Sequence, residues 1–317
     1  MTTEHNSGAL RVRQPGLMTL IQDAGRFGQH HLGLTTGGPL DAEAFFWANR
    51  LCGNDAGAAA LEVSFGGLVL EAEVATRIAV TGAEMKLSIN GNECERWRSH
   101  AVAEGDLIEL GYADAGCRAY LAVSGGFDIA LQFDSASTVM REGIGGFDGG
   151  KLQPGDRLPC TVDRDRSGLL LPEACRPAYA SDVQLRVIPG YQKDHFDPVQ
   201  QALFFSSEYR TTERSDRMGY RLEGPAIRAD IDGILSEGIC QGAIQVPADG
   251  QPIILLNDRQ TIGGYPKLGS VFTPDLARLA QLTQGARVHF EPITIDDAHN
   301  LLWLGRARRE RIELMPC

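Results

Sequence analysis

Residues 73–83, EVATRIAVTGA, combine polar/apolar alternation with a short apolar run and close on a glycine turn. A period of two over that length marks a β-strand with one buried face. The same reading extends outward to GDLIELG (105–111), CRAYLAVSGG (117–126), VQLRVIPG (183–190), AIQVP (243–247), PIILLN (252–257) and ARVHFEPI (286–293). The 37 glycines and 15 prolines punctuate these segments, as turns between short strands require. A glycine turn feeding a strand recurs at EGDLIEL, PGDRLP and QGARVHF. Three loose echoes of this kind indicate barrel-like β architecture and not a solenoid. The expected class is mainly β with a few helices (α+β), arranged as two β-rich lobes.

Helices are few and have readable ends. Asp41 is placed to cap AEAFFWANRLC, and Gly53 to end it. Thr273-Pro274 opens PDLARLAQLTQ, with Gly285 as its stop. Thr294 with Asp297 resembles a capping box for a last helix, and Arg306, Arg308, Arg309 and Arg311 suit its C-terminal end. The charged, proline-containing stretch 160–182 has no sustained period, so the lobes are expected to divide there, as 1–170 and 171–317.

With 317 residues, 43% of them hydrophobic, the chain has material for two packed domains. Its formal charge of −11 argues against a nucleic-acid binder, which usually carries a basic face. The seven cysteines are odd in number, scattered and without a C-x-x-C pair, as expected of reduced thiols in a cytosolic protein without a zinc site. No stretch approaches the ~18 apolar residues of a membrane span. A cytoplasmic location and no membrane partner are therefore expected. GGFDGGKL (145–152) approaches a P-loop, but Leu152 stands where serine or threonine would hold magnesium.

Three dense polar stretches remain. In PGLMTLIQDAGRFGQHHLG (15–33), Gln22, Asp23, Arg26, His30 and His31 lie among glycines that let backbone approach a ligand. Arg26 offers a planar fork for a carboxylate, or else an Asp23–Arg26 pair braces a turn. Adjacent histidines on a strand would point to opposite faces, so no shared metal site is expected. In RSDRMGYRLEG (214–224), Asp216 and Arg217 form either a site or a surface ion pair. The third stretch, 236–269, carries Gln245, Asn257, Asp258, Gln260, Tyr265 and Lys267, the last stiffened by Pro266. The chain has four lysines against twenty-six arginines. Lys267 is expected either to hold an anion near Tyr265 and Asp258 or to point into solvent.

PGLMTLIQDAGRFGQHHLGLTTGGPLD, ANRLCGN, ALEVSFGG, AVTGAE, YLAVSGGFD, SDRMGYRLEGP, SEGICQGAIQVPADGQPIILL and DRQTIGGYPKLGSV, in that order, resemble the biotin-dependent carboxyltransferase family. That family includes allophanate hydrolase subunit 2-like proteins, the carboxyltransferase portion of urea amidolyase, and the 5-oxoprolinase C subunits, which this chain resembles most. The resemblance implies cyclophilin-like barrel character and hetero-oligomeric work beside B-like (allophanate hydrolase subunit 1-like) and A-like subunits. It implies ATP-dependent opening of the lactam of 5-oxoproline to glutamate, with ATP and magnesium held mainly by a partner. The alternatives are a carboxyltransferase acting on urea or a related amide with carboxybiotin, or a regulatory partner of a histidine-kinase inhibitor-like protein.

On the leading reading, Arg26 and Lys267 bind the small anionic substrate's carboxylate or a transferred phosphoryl group. Asp23 and Asp258 orient water or magnesium, and Gln22, Asp216, Arg217, Gln245, Gln260 and Tyr265 complete the pocket. One departure stands out: where relatives read Gly-Ser-Arg-Ser-Thr, this chain has DSAST, with Asp134 and Ala136 replacing glycine and arginine.

Overall fold

A computed structural model describes residues 7–317. The described residues form two compact units, each discontinuous in sequence: 7–27, 37–178 and 313–317 form the first, and 28–36 with 179–312 the second. Among the described residues no helix is long and apolar enough to cross a membrane.

The first unit is a nine-stranded sheet. Its strands are β1 (Ser7–Pro15), β2 (Met18–Gln22), β3 (Ala60–Ser64), β4 (Gly66–Ala72), β5 (Thr76–Ile89), β6 (Asn92–Cys94), β7 (Ser99–Val102), β8 (Leu107–Val123) and β9 (Arg157–Thr161). The spatial order is β2-β3-β8-β4-β1-β9, with β5 pairing β6, β7 and β8. The two segments expected at 105–111 and 117–126 are one 17-residue strand, β8. Its partner β5 runs on through residues 84–89, and register shifts near Glu84 and Met85 absorb the twist that so long a ribbon accumulates. Polar residues in the middle of β8 therefore mark the exposed part of a paired ribbon and not its end.

Leu10, Ile21, Leu61, Val63, Leu70 and Leu121 belong to this unit's buried core. The first helix, α1 (Ala42–Leu51), begins as expected, with the Asp41 carboxylate accepting from Ala44 N at 2.9 Å. A short strand β10 (Leu169–Leu170) pairs with the C-terminal strand Met315–Pro316.

The second unit is built on a closed barrel of β11 (Asp182–Pro189), β12 (Tyr209–Ser215), β13 (Gly219–Glu223), β15 (Ala243–Gln245), β16 (Ile253–Leu255), β18 (Lys267–Val271) and β19 (Arg287–Pro292). Parallel pairing of β11 with β19 closes it. A separate ribbon joins β14 (Glu237–Gly238) to β17 (Ile262–Gly263). Helix α2 (Pro198–Ser206) has no counterpart among the sequence expectations, although Asp197-Pro198 is a legible start and Asp197 accepts from Gln200 N at 2.9 Å. It is held by Phe204 stacked on Phe290 at 4.4 Å between ring centroids, with Tyr209 alongside.

Helix α3 is shorter than expected, Thr273–Leu279, and its N-cap position is Phe272 instead of Thr273. Helix α4 (Ile295–Arg311) begins as expected at Thr294, whose hydroxyl accepts from Asp297 N at 3.0 Å.

Candidate functional site

In the first unit, residues 22–26 and the DSAST segment are strapped together. Asp23 Oδ1 accepts from the hydroxyls of Ser135 and Ser137, each at 2.6 Å, and from Gly25 N at 2.9 Å. Its Oδ2 accepts from Ala136 N at 2.6 Å. Fully buried Arg26 donates from Nε to Gln132 O at 3.0 Å and from Nη2 to Ser137 O at 3.1 Å. Gln22 donates to Thr138 O and accepts from Gly38 N, both at 3.0 Å.

The carboxylate and guanidinium expected to meet a ligand are thus engaged with one strap, Asp23 with its hydroxyls and an N–H, Arg26 with its carbonyls. Asp134 sits at φ 61°, a left-handed conformation that suits the glycine expected there and that aspartate tolerates better than most residues. Ala136 lies in the hydrophobic core.

In the second unit, Lys267 opens β18 at a bulge. Ile244 faces Gly269 across the ladder but Gln245 faces Lys267, so Leu268 is the extra residue. A bulge re-aims neighbouring side chains. Here the Lys267 backbone N–H is given to Gln192 Oε1 at 2.9 Å, and the ammonium, largely buried, to Glu237 Oε1.

The same Glu237 oxygen accepts from the Tyr191 hydroxyl, and from Gln192 Nε2 at 2.8 Å. The Lys267 ammonium first and the Tyr191 hydroxyl second hold the Glu237 carboxyl below the usual carboxylate range. That bond to Glu237 raises the Tyr191 phenol. Gln245 is buried, and its side-chain Nε2 finds no partner among the described residues. Cys240 is exposed, with Sγ 3.1 Å from Ser270 Oγ.

The partner of Lys267 is therefore Glu237 and not Asp258. Both Asp258 oxygens accept from buried Arg217. Orienting water or magnesium from Asp258 would mean opening that buried two-bonded pair, at a cost in stability. Asp216 is exposed and closes a turn by accepting from Met218 N at 2.7 Å. Tyr265 and Gln260 are exposed.

His30 and His31 lie on a one-turn 3-10 helix instead of a strand, and both are exposed. No group of three or more His, Cys, Asp or Glu among the described residues is arranged to hold a metal. The near P-loop builds no phosphate cradle: no helix follows Lys151, and its Nζ approaches Leu17 O at 3.4 Å.

Residues 32–292 match the model for the carboxyltransferase domain, subdomains A and B. The chain belongs to this family. The carboxyltransferase-domain chain is 36% identical over 291 residues to the 5-oxoprolinase C subunit of Escherichia coli, covering 91% of this chain and 93% of that protein. It is 34% identical to the 5-oxoprolinase C subunit of Haemophilus influenzae, over 91% of this chain and 94% of that one. Among solved structures, K. lactis urea amidolyase superposes with a TM-score of 0.90 at 27% identity, over 98% of this chain and 20% of the amidolyase.

Of this carboxyltransferase domain's polar cluster, sequence reasoning singled out Lys267 and Gln245 but missed Glu237, Tyr191 and Gln192. Glu237 lies inside a stretch already noted, and Tyr191-Gln192 follow Gly190 at the end of a strand. A glycine-terminated strand followed by polar side chains is a usable signal, since binding residues concentrate on such loops.

Proposed function

We propose that this carboxyltransferase-domain chain is the C subunit of an ATP-dependent 5-oxoprolinase, working with A-like and B-like partner subunits. The two relatives named above support the reading, because the similarity extends over nearly the full length of each. The observation that carries the chemistry is Lys267, a largely buried ammonium whose counter-ion is a side-chain carboxylate from a different strand.

A substrate carboxylate of the same charge and shape exchanges with Glu237 for the ammonium. Tyr191 and Gln192, which donate to Glu237 in its absence, then orient the incoming group. Once displaced, Glu237 is an ionised carboxylate beside the bound ring, placed to take a proton from an attacking water. Gln245 supplies an amide donor. Asp23 and Arg26, each through the 132–137 strap, and the Arg217–Asp258 pair hold the loops. ATP and magnesium are assigned to the partners, since residues 145–151 do not form a phosphate cradle.

The test is glutamate release from 5-oxoproline and ATP by the chain alone and with both partners. Activity in the full set only, abolished by Lys267→Ala with assembly intact, supports the reading. No activity in a verified complex sinks it.

A second reading, carboxyl transfer from carboxybiotin to an amide, is favoured by the family model and the urea amidolyase superposition. It requires a biotinylated partner, which a streptavidin blot of the purified complex would reveal.

A further inference from the structure

Arg259 is a buried cation of the barrel unit, 6% exposed. Its Nε donates to Ile239 O at 3.1 Å and its Nη1 to Leu256 O at 3.2 Å. Nη2 donates to no described residue and keeps some contact with solvent. The chain neighbour Asp258 is turned to Arg217, and no carboxylate pairs with Arg259 among the described residues. Carbonyl dipoles do not cancel a full charge, and holding one out of water without a counter-ion is unfavourable. Burial accordingly keeps this guanidinium below the ordinary arginine value.

The bulge at Leu268 decides what lies around it. In a regular strand Lys267 and Ser270, three residues apart, would point to opposite faces. With Leu268 as the extra residue, Lys267 lies opposite Gln245 and Ser270 opposite Ala243, two residues apart on β15, so both project from one face. Ser270 Oγ is 3.1 Å from Cys240 Sγ, and Cys240 directly follows Ile239, whose carbonyl holds Arg259. The Cys240 thiol lies within electrostatic range of both the Arg259 guanidinium and the Tyr191 phenol. Arg259, Ser270 and Cys240 thus make a second polar centre beside Lys267, Glu237 and Tyr191.

The two centres differ in what a ligand must displace. At Lys267 an incoming anion exchanges with Glu237, whereas at Arg259 it displaces no protein carboxylate and neutralises a buried charge. The side-on fork that matches a planar carboxylate uses Nε together with a terminal nitrogen, and Ile239 O already occupies Nε. Arg259 is left to contribute its charge and the Nη2 donor, with the Ser270 hydroxyl and the Cys240 thiol as further donors from other segments. That set suits the three acceptor oxygens of a phosphoryl group. We propose that Arg259, Ser270 and Cys240 form a phosphoryl subsite beside the Lys267 carboxylate site. The proposal rests on the ATP-dependent 5-oxoprolinase reading for the source of that group: the nucleotide stays on the partners, and this chain receives the phosphate that ATP hydrolysis releases.

The experiment is titration calorimetry of the full chain, alone and in the assembled complex, with inorganic phosphate as probe and acetate at matched ionic strength as comparator. Circular dichroism checks the folding of each variant. The expected result is one phosphate per chain, bound about tenfold or more tightly than acetate. Arg259→Met, which keeps the bulk and removes the charge, weakens phosphate binding about tenfold or more, and Ser270→Ala about threefold. Lys267→Met combined with Glu237→Gln neutralises the other centre as a pair and leaves phosphate binding in place. In the wild type, phosphate slows the reaction of Cys240 with an aromatic disulfide reagent and leaves that of Cys317 unchanged, a readout that needs no variant to fold.

No phosphate binding in either form overturns the proposal, as does binding that survives Arg259→Met or disappears with the Lys267 and Glu237 changes. Acetate bound as tightly as phosphate overturns the phosphoryl assignment. These measurements use neither 5-oxoproline nor ATP, so their failure leaves the glutamate-release test standing. A complex that binds phosphate at Arg259 but releases no glutamate counts against the 5-oxoprolinase reading and not against the subsite.

Discussion

Arg217 grips Asp258 through two hydrogen bonds, Nε to Oδ2 at 2.9 Å and Nη2 to Oδ1 at 3.0 Å, with both side chains buried. The pair fastens the β12–β13 turn to the loop after β16, where Asp258 N also donates to Arg217 O at 3.0 Å. Removing one partner takes two charge-assisted hydrogen bonds away from a buried charge. Asp258→Ala is expected to lower stability by about 3–5 kcal/mol. Arg217→Met with Asp258→Leu, which removes both charges, should cost less than the single change. Urea unfolding of the three variants measures this.

Lys267→Ala in the assembled complex is expected to reduce kcat/KM for 5-oxoproline about a hundredfold or more, as loss of one partner from a desolvated charge pair does. Most of the loss should appear in KM if the ammonium binds the substrate carboxylate. Glu237→Gln, which keeps the shape but removes the counter-ion and the base, should lower kcat and leave KM unchanged or reduced. Steady-state kinetics separates the two effects.

The Glu237 carboxyl is held below its ordinary value in the folded chain, so its contribution to stability is present above the unfolded pKa of about 4.3. It is lost as pH falls through the lower folded value. The difference in unfolding free energy between wild type and Glu237→Gln is therefore expected to stay constant from about pH 7 to 5 and to shrink below about pH 4. Urea titrations at several pH values test it, and a difference that grows on acidification would contradict the assignment.

Thiol reactivity should separate by burial. Burial pushes Cys52 up to about 12 and Cys160 up to about 11, whereas Cys240 and Cys317 are exposed. An aromatic disulfide reagent at neutral pH is expected to label Cys240 and Cys317 first and to reach Cys52 and Cys160 only on unfolding. Peptide mapping after timed quenching identifies the order.

Ala136→Arg would place an arginine in the DSAST segment at a position inside the hydrophobic core. An unpaired guanidinium there is expected to destabilise the first unit by several kcal/mol or to detach the strap from Asp23. Hydrogen exchange at residues 134–138 reports which occurs.

The β class was legible because alternation and glycine turns are local properties, and the same holds for the caps at Asp41 and Thr294. The union of two segments into β8 was not legible, because a paired ribbon tolerates polar residues through its middle and its partner lies elsewhere in the chain. At the site, Lys267 stood out by its rarity and its Gly-Gly-Tyr-Pro approach. Its counter-ion did not, since Glu237 is fixed by a ribbon pairing and by a bulge at Leu268 that leaves no mark on composition. Asp23 and Arg26 stood out as a charged pair among the glycines of 15–33. The strap they hold lies more than a hundred residues downstream, a distance over which single-sequence reasoning has no register to follow.

The pairing of Leu169–Leu170 with Met315–Pro316 has a consequence for biosynthesis. A ribosome makes the nine-stranded sheet of the first unit early, then the whole barrel, and only afterwards the strand that completes the first unit's separate two-stranded sheet. The barrel has every one of its strands before that small sheet can form, so β10 waits for its strand partner throughout the synthesis of the second unit.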